Sequence, residues 1–162
     1  MNEHLRRTLD YFRAGQAGDV SPFARNTRAA QVGRGAGWAI QGQPSPIEQE
    51  ITDIQPRLAF IHYGTNDMNF GATFASALRA FHDNLSELLD TLIERGIVPI
   101  VMGISHRLDA PDADRWVPTF NLVIRGLAQT RSLPFVNLHL ALESLDNFGM
   151  SEDGVHLNVD PQ

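Results

Sequence analysis

Apolar residues fall into two kinds of block along this chain, and the two kinds alternate. Over residues 73–95 the spacing is helical, and one side of the predicted helix collects Phe74, Leu78, Phe81, Leu85, Leu88 and Leu92. Continuous apolar runs over 58–63 and 97–102 instead predict short strands that are buried on both faces. The alternation favours a fold in which helices connect parallel strands.

Weaker patterns complete the order of elements. Further helices are predicted over four stretches, which are 5–13, 46–54, the residues from Pro118 onward, and 140–145. A weakly patterned strand is predicted over 24–32 and a third apolar strand over 135–138. The stretch 110–114 contains a proline and two aspartates and is predicted to be a loop.

This order of elements predicts a single α/β domain over residues 1–162. Its expected architecture is a three-layer α/β/α arrangement around a parallel, flavodoxin-like sheet. In such sheets the ligand site lies beyond the carboxyl ends of the strands. Residues 64–67 and 103–106 each follow a predicted strand, so they are expected to meet at that edge.

Composition narrows the classes of function. Thirteen basic and nineteen acidic side chains give a formal net charge of −6, which argues against a nucleic-acid or anionic-membrane partner. The chain has no cysteine, so disulfides and thiolate metal sites are excluded. The histidines show no metal-ligand spacing, and no metal or other cofactor is expected. No apolar run reaches membrane-spanning length. The compartment stays open, since export of a bacterial protein would need a signal peptide upstream of Met1.

Two short motifs have the residue types of acyl-transfer chemistry. Asp153 stands three residues before His156 on a predicted loop, a spacing that lets a carboxylate orient an imidazole as a general base. Asn66 follows a predicted strand, where a side-chain amide can donate to a developing oxyanion. Each motif alone also fits ordinary turn chemistry. Their joint occurrence near the expected crevice favours the catalytic interpretation.

The same motifs carry a resemblance to a family. Gly64-Thr65-Asn66-Asp67 resembles the Gly-x-Asn-Asp block of the SGNH (GDSL-type) hydrolases, and Asp153-x-x-His156 is similar to their terminal Asp-x-x-His block. Residues 23–33 are similar to the family's glycine block. The resemblance implies a serine esterase or acyl-hydrolase that acts on ester bonds of lipids or acylated glycans and needs no cofactor.

The resemblance also implies the roles of single residues. His156 would be the base and Asp153 its partner. Asn66 would hold the oxyanion through its side chain, and Gly33 would do so through its backbone N–H. Gly35 and Gly37 compete with Gly33 for that role.

The nucleophile is the point at which the chain departs from the family. The family's serine lies in a Gly-Asp-Ser block at the end of the first strand. No segment before Gly33 in this sequence has an apolar strand followed by Gly-Asp-Ser. Gly18-Asp19-Val20-Ser21 comes nearest, but no apolar strand precedes it. Ser105 follows a predicted strand, yet its position does not match the family's. The nucleophile therefore stays unassigned, with Ser21 and Ser105 as candidates.

The simplest hypothesis is that the chain is a shortened form of a longer hydrolase. It would lack the first strand and, at its other end, a closing helix. The serine would then come from a missing N-terminal segment or from a second chain, and the substrate would be a small ester. The alternative is a non-catalytic module of the same fold that binds an acyl or carbohydrate ligand. In both cases the chain alone is expected to be inactive.

Overall fold

The computed structural model describes residues 26–158 together with Arg7. Its strands form one parallel sheet in the order β1–β2–β3, with β1 over Leu58–Ile61, β2 over Val98–Met102 and β3 over Phe135–Val136. The register pairs Leu58 with Val98 and Val101 with Phe135. Helices connect the successive strands, so the alternation of blocks correctly predicted an α/β domain.

Six α-helices and two 3₁₀ helices accompany the sheet between residues 26 and 158. The α-helices are α1 (Ala36–Ala39), α2 (Pro46–Ile54), α3 (Phe74–Glu94), α4 (Pro111–Asp114), α5 (Val117–Thr130) and α6 (Leu138–Leu142). The 3₁₀ helices cover Asp67–Asn69 and Asp146–Gly149. Side-chain caps explain where two of the α-helices begin, because the hydroxyls of Ser45 and Thr73 accept backbone N–H groups of the first turns of α2 and α3.

The core lies where α3 and α5 pack against each other and against β2. The stripe predicted for α3 is fully buried at Phe81, Leu85, Leu88 and Leu92. Phe81 stacks on Phe120 of α5 with ring centroids 5.2 Å apart. Next to Phe120, the Asn121 side chain accepts from the Ile104 N–H at 2.8 Å and donates to the Ile104 carbonyl at 3.0 Å. This pair of hydrogen bonds fixes the chain just beyond the end of β2.

The structure differs from the sequence-based prediction at several elements. Residues 26–32 of the predicted strand 24–32 form turns, because the Arg28 N–H donates to the Glu50 carboxylate and not to a neighbouring strand. Residues 110–114 are not a loop, since Pro111 begins α4. The last predicted helix, 140–145, begins earlier, because Asn137 caps α6.

Other predictions fall on residues at the N-terminus. The helix predicted over 5–13 lies outside the described residues except for Arg7, which is helical. Residues 24 and 25 of the predicted strand, the glycine-block residue Phe23 and the candidate nucleophile Ser21 also lie outside the described part.

β1 is less buried than its continuous apolar run predicted. Ile61 is buried, whereas Leu58 is 54% exposed and Phe60 is 71% exposed. Side chains alternate between the two faces of a strand, and the described residues cover only the face that carries Ile61 and Val101. The outer edge of β1 also has no partner strand in the described part of the chain.

The Phe81–Phe120 stack gives a test of this core. We expect Phe81→Ala to lower the free energy of unfolding by about 3–5 kcal/mol, because it removes a buried ring and leaves a cavity. The control is Leu122→Ala on the exposed side of α5, where the change should stay within about 0.5 kcal/mol. Equal losses in urea denaturation of the two variants would contradict this placement of the core.

Candidate active site

A groove of about 720 Å³ runs along the outer edge of β1. Apolar side chains of α2 and β1 line it, among them Ile47, Ile51, Leu58 and Phe60. Three residues singled out from the sequence, Asn66, Ser105 and His156, line the same groove. Asn66 and Ser105 follow β1 and β2, whose carboxyl ends lie at one edge of the sheet because the strands are parallel. The structure thus brings together residues that are far apart in sequence.

Asp153 and His156 form a close pair. The Nδ1 atom of His156 lies 2.6 Å from Oδ2 of Asp153. The other oxygen, Oδ1, accepts from the Ser151 hydroxyl at 2.7 Å and from the backbone N–H groups of Val155 and His156, each at 2.9 Å. The hydrogen bonds from His156, with those from Val155 and Ser151, hold the pKa of Asp153 well below its usual range. An ionised Asp153 keeps the proton of neutral His156 on Nδ1 and leaves Nε2 free to accept one.

The loop that carries this pair has its own supports. Ser151 donates its N–H to the His156 carbonyl at 2.8 Å, which closes a turn around Asp153. Gly154 adopts a positive φ of 70°, and a Cβ at this position would lie 2.6 Å from the backbone nitrogen of Asp109. The Gly154 carbonyl accepts from the Leu108 N–H at 2.9 Å. Only glycine therefore fits where this loop packs on residues 108–109.

Asn66 lies in the turn between β1 and the 3₁₀ helix Asp67–Asn69. Its side-chain nitrogen donates to the Arg34 carbonyl at 3.0 Å. A primary amide has two N–H bonds, so one hydrogen bond to Arg34 leaves a second donor. The contact holds the Asn66 amide against the peptide bond that joins Arg34 to Gly35.

Asp67 fixes the same corner from the buried side. Its carboxylate accepts from the Ala36 N–H at 2.9 Å, and burial raises the pKa of this carboxyl group. A Cβ on Gly35 would lie 2.5 Å from Oδ1 of Asp67. Gly35 is therefore required for close packing, and Asp67 links the glycine-rich segment to the turn that carries Asn66.

The competing glycines occupy different surroundings. Gly33 has a positive φ of 75° and open space where a Cβ would stand. Gly37 is inside α1, where a Cβ would lie 2.6 Å from the Asn84 amide nitrogen. In the described part of the chain, the backbone N–H groups of Gly33 and Gly35 donate no hydrogen bond. Gly33 is exposed and lines the groove, so its N–H is open to an acceptor from a ligand, whereas Gly35 is buried and does not line the groove.

Ser105 is the one serine between residues 26 and 158 that lines the groove. It follows β2 and is buried. The other candidate nucleophile, Ser21, is outside the described residues. One candidate nucleophile therefore lines the same groove as Asn66 and His156.

Two residues of the site were missed by the sequence analysis. Asp114 falls in the stretch predicted to be a loop, but its carboxylate accepts from the Arg107 N–H at 2.8 Å and lies 3.2 Å from Nδ1 of His106. Arg107 was not singled out, yet its guanidinium is buried and contacts the Thr65 carbonyl next to Asn66. The sequence carries no local signal for either contact, because the Arg107 partner is 42 residues away.

The described residues contain neither a metal-binding cluster nor a membrane-spanning helix. In that part of the chain, no three histidine, aspartate or glutamate side chains converge in a way that would hold a metal ion. Over the same residues, none of the helices has the length and apolar character needed to cross a membrane.

Comparisons with known proteins identify the family and the fold of the chain. The model of the GDSL-like lipase/acylhydrolase family matches residues 2–160. A search of curated protein sequences gives no match. Among solved structures, a GDSL-like lipase from Bacteroides thetaiotaomicron is 23% identical with a TM-score of 0.58, and the match covers 68% of this chain and 58% of that one.

Two esterases are similar in the same way. An acetylxylan esterase from Geobacillus stearothermophilus is 18% identical with a TM-score of 0.57, over 70% of this chain and 57% of that one. A psychrotrophic esterase from Pseudoalteromonas sp. is 17% identical with a TM-score of 0.57, over 78% of this chain and 63% of that one. At such identities the likeness shows a shared fold. The matches span less than two thirds of the length of all three proteins.

The hydrogen bonds to Asp153 predict its titration. We expect its carboxyl group, followed by NMR, to stay ionised as the pH falls through about 4, where a free aspartate takes up its proton. Because the folded pKa lies below the unfolded one, the stabilisation by these contacts is present above pH 4 or so and is lost only as the pH falls through the folded value.

A variant tests whether these hydrogen bonds cause the low pKa of Asp153. Ser151→Ala removes one donor and should move the Asp153 pKa upward, toward its usual range. Thr52→Ala, which removes an exposed hydroxyl from α2, is the control and should leave the titration unchanged. An Asp153 that protonates like a free aspartate in the parent chain would show that the pair does not form in solution.

Proposed function

Because the chain belongs to the GDSL-like lipase/acylhydrolase family, we propose that it supplies the base and the oxyanion donors of a serine ester hydrolase. The observation that carries this proposal is the arrangement of His156 and Asn66 on one groove, with Asp153 paired to Nδ1 of the imidazole. A module that only binds a ligand has no need of an imidazole oriented in this way. The arrangement instead fits a general base next to an electrostatic stabiliser.

The proposed reaction proceeds in two halves. A serine Oγ attacks the ester carbonyl carbon while Nε2 of His156 takes the serine proton, and the carbonyl oxygen becomes the oxyanion. The tetrahedral intermediate collapses when the imidazolium returns that proton to the leaving alcohol, which gives an acyl-serine. Water, deprotonated by the same imidazole, then attacks the acyl carbon, and the imidazolium returns that proton to the serine Oγ as the carboxylic acid is released. Asp153 stays ionised throughout and stabilises the imidazolium.

The oxyanion would lie between Asn66 and the glycine-rich segment. The second N–H of the Asn66 amide is one donor. A backbone N–H from Gly33 or Gly35 is the other, and Gly33 is favoured because it lines the groove together with Asn66, whereas Gly35 is buried and does not line it. Asp67 fixes the segment that follows Gly33, because its carboxylate accepts from the Ala36 N–H.

The nucleophile is proposed to come from an extended segment that pairs in parallel with β1. The outer edge of β1 is unpaired in the described part, and the exposed side chains of Leu58 and Phe60 lie beside the groove. A parallel strand seated there would end at the same edge as β1, beside Asn66 and His156.

The substrate class proposed is an ester of a lipid or of an acylated glycan, which are the classes that the printed names of the similar lipase and acetylxylan esterase indicate. The alternative is a non-catalytic module that retains the groove for an acyl or carbohydrate ligand. One observation favours the alternative: in the described part, the one serine that lines the groove, Ser105, follows β2 and does not stand at the position of the family's nucleophile.

A fluorophosphonate probe tests the proposal, because it reacts with a serine only where a base activates it. We expect no adduct on the folded chain alone, as read by intact mass. Co-expression with a peptide that has an apolar run ending in Gly-Asp-Ser should give a stoichiometric adduct on the peptide's serine. His156→Ala should abolish that adduct.

The other outcomes are equally informative. An adduct on Ser105 or Ser21 in the chain alone would assign the nucleophile to this chain and overturn the proposed extra segment. No adduct in either folded sample would favour the binding module.

The oxyanion donors can be tested in the sample that reacts with the fluorophosphonate probe. Asn66→Ala should lower kcat for p-nitrophenyl acetate by about 10²- to 10³-fold, because one donor to the oxyanion is removed. Asn69→Ala, an exposed amide at the end of the same 3₁₀ helix, is the matched control and should leave kcat unchanged. A loss confined to KM would contradict a role in stabilising the transition state.

A further inference from the structure

Arg107 is buried although it carries a full positive charge. The residue is 6% exposed, and every nitrogen of its guanidinium has a partner. Nε and Nη2 donate to the two oxygens of Asp109 at 2.8 and 2.9 Å, and Nη1 donates to the Thr65 carbonyl at 2.9 Å. The paired hydrogen bonds to Asp109 neutralise the charge and fix the plane of the guanidinium.

Through its contact with Thr65, Arg107 supports the turn that carries Asn66. Thr65 directly precedes Asn66, so the Arg107 guanidinium fixes the backbone from which the Asn66 amide extends. Asp109 alone is sufficient to neutralise the charge of Arg107. The third hydrogen bond therefore adds a link between two loops, and not only a partner for a buried cation.

The backbone that follows Arg107 contacts the loop that carries His156. Leu108 donates its N–H to the Gly154 carbonyl, and Gly154 packs directly on the Asp109 nitrogen. Gly154 lies between Asp153 and His156 in sequence. Residues 107–109 thus contact the turn that carries Asn66 on one side and the loop that carries His156 on the other.

A third contact fixes this segment to the rest of the fold. The Arg107 N–H donates to the Asp114 carboxylate at 2.8 Å, and Asp114 belongs to α4. The segment therefore cannot shift to follow one loop without breaking its contacts with the other loop or with α4.

From these contacts we infer that Arg107 is a positioning residue, which sets the distance between the Asn66 amide and the His156 imidazole across the groove. The inference rests on the proposed function only for the claim that this distance matters to catalysis. Lysine cannot replace Arg107, because one ammonium cannot hold both oxygens of Asp109 and the Thr65 carbonyl in one plane.

The absence of cysteine allows a direct test. Cysteines introduced as Asn69→Cys and Glu152→Cys, both at exposed positions near the two loops, can be spin-labelled without a background signal. We expect a narrow distribution of label distances, by electron paramagnetic resonance, in the otherwise unchanged chain. Arg107→Met should broaden it, and Arg107→Lys should broaden it to a smaller extent.

Arg131 provides a matched control. Its guanidinium donates in the same paired way to Asp90, at 2.6 and 2.8 Å, and a further N–H reaches Ser86, at a place remote from the groove. Arg131→Met makes the same chemical change and should leave the distance distribution narrow. If Arg107→Met does not fold, Asp109→Asn keeps the arginine and weakens its support, and it should broaden the distribution as well.

An unchanged distribution in folded Arg107→Met, or equal broadening in Arg131→Met, would overturn the inference. This measurement needs no turnover, so a failed ester assay counts against the proposed function alone. In a sample that hydrolyses ester, Arg107→Met should lower kcat by about 10²-fold with KM nearly constant, as expected for misplaced catalytic groups.

Discussion

Parallel pairing of β1 with β2 is the constraint on which the site depends. Because both strands run in the same direction, the segments that follow them emerge at one edge of the sheet. The turn with Asn66 and the loop with Ser105 and Arg107 are therefore neighbours. The C-terminal loop needs no strand of its own, since it packs on residues 108–109 through Gly154. Every side chain of the candidate site depends, directly or through one contact, on this register.

The two halves of the site are held in different ways. The Asp153–His156 pair is local, because all four hydrogen bonds to the carboxylate come from residues 151–156. Asn66 instead depends on residues that are distant in sequence. Its amide donates to the Arg34 carbonyl, and Arg107 donates to the carbonyl of the preceding residue, Thr65. Movement of the C-terminal loop would therefore carry an intact pair with it, whereas the environment of Asn66 requires the whole edge of the sheet.

This difference explains how much could be predicted from the sequence. Short-range sequence patterns predicted the helix α3, the two longer strands and the Asp153–His156 pair. The structure contains each of them at the predicted place. The strand predicted over 24–32 failed where described, because a long-range contact of Arg28 with Glu50 decides that segment. The contacts of Arg107 and Asp114 have no pattern in sequence. A periodicity argument identifies which face of an element is apolar, but it does not identify which distant carbonyl a buried guanidinium will meet.

The outer edge of β1 has a consequence for how the chain behaves at high concentration. Backbone groups without a partner in the described part lie next to the exposed rings and branched side chains of Phe60 and Leu58. Natural sheets protect such edges with charges, prolines or bulges, and β1 (Leu-Ala-Phe-Ile) has none of these in its four residues. Where no other segment covers it, such an edge is a template for strand exchange between molecules. Colloidal stability, and not only thermodynamic stability, will depend on whether that edge is covered.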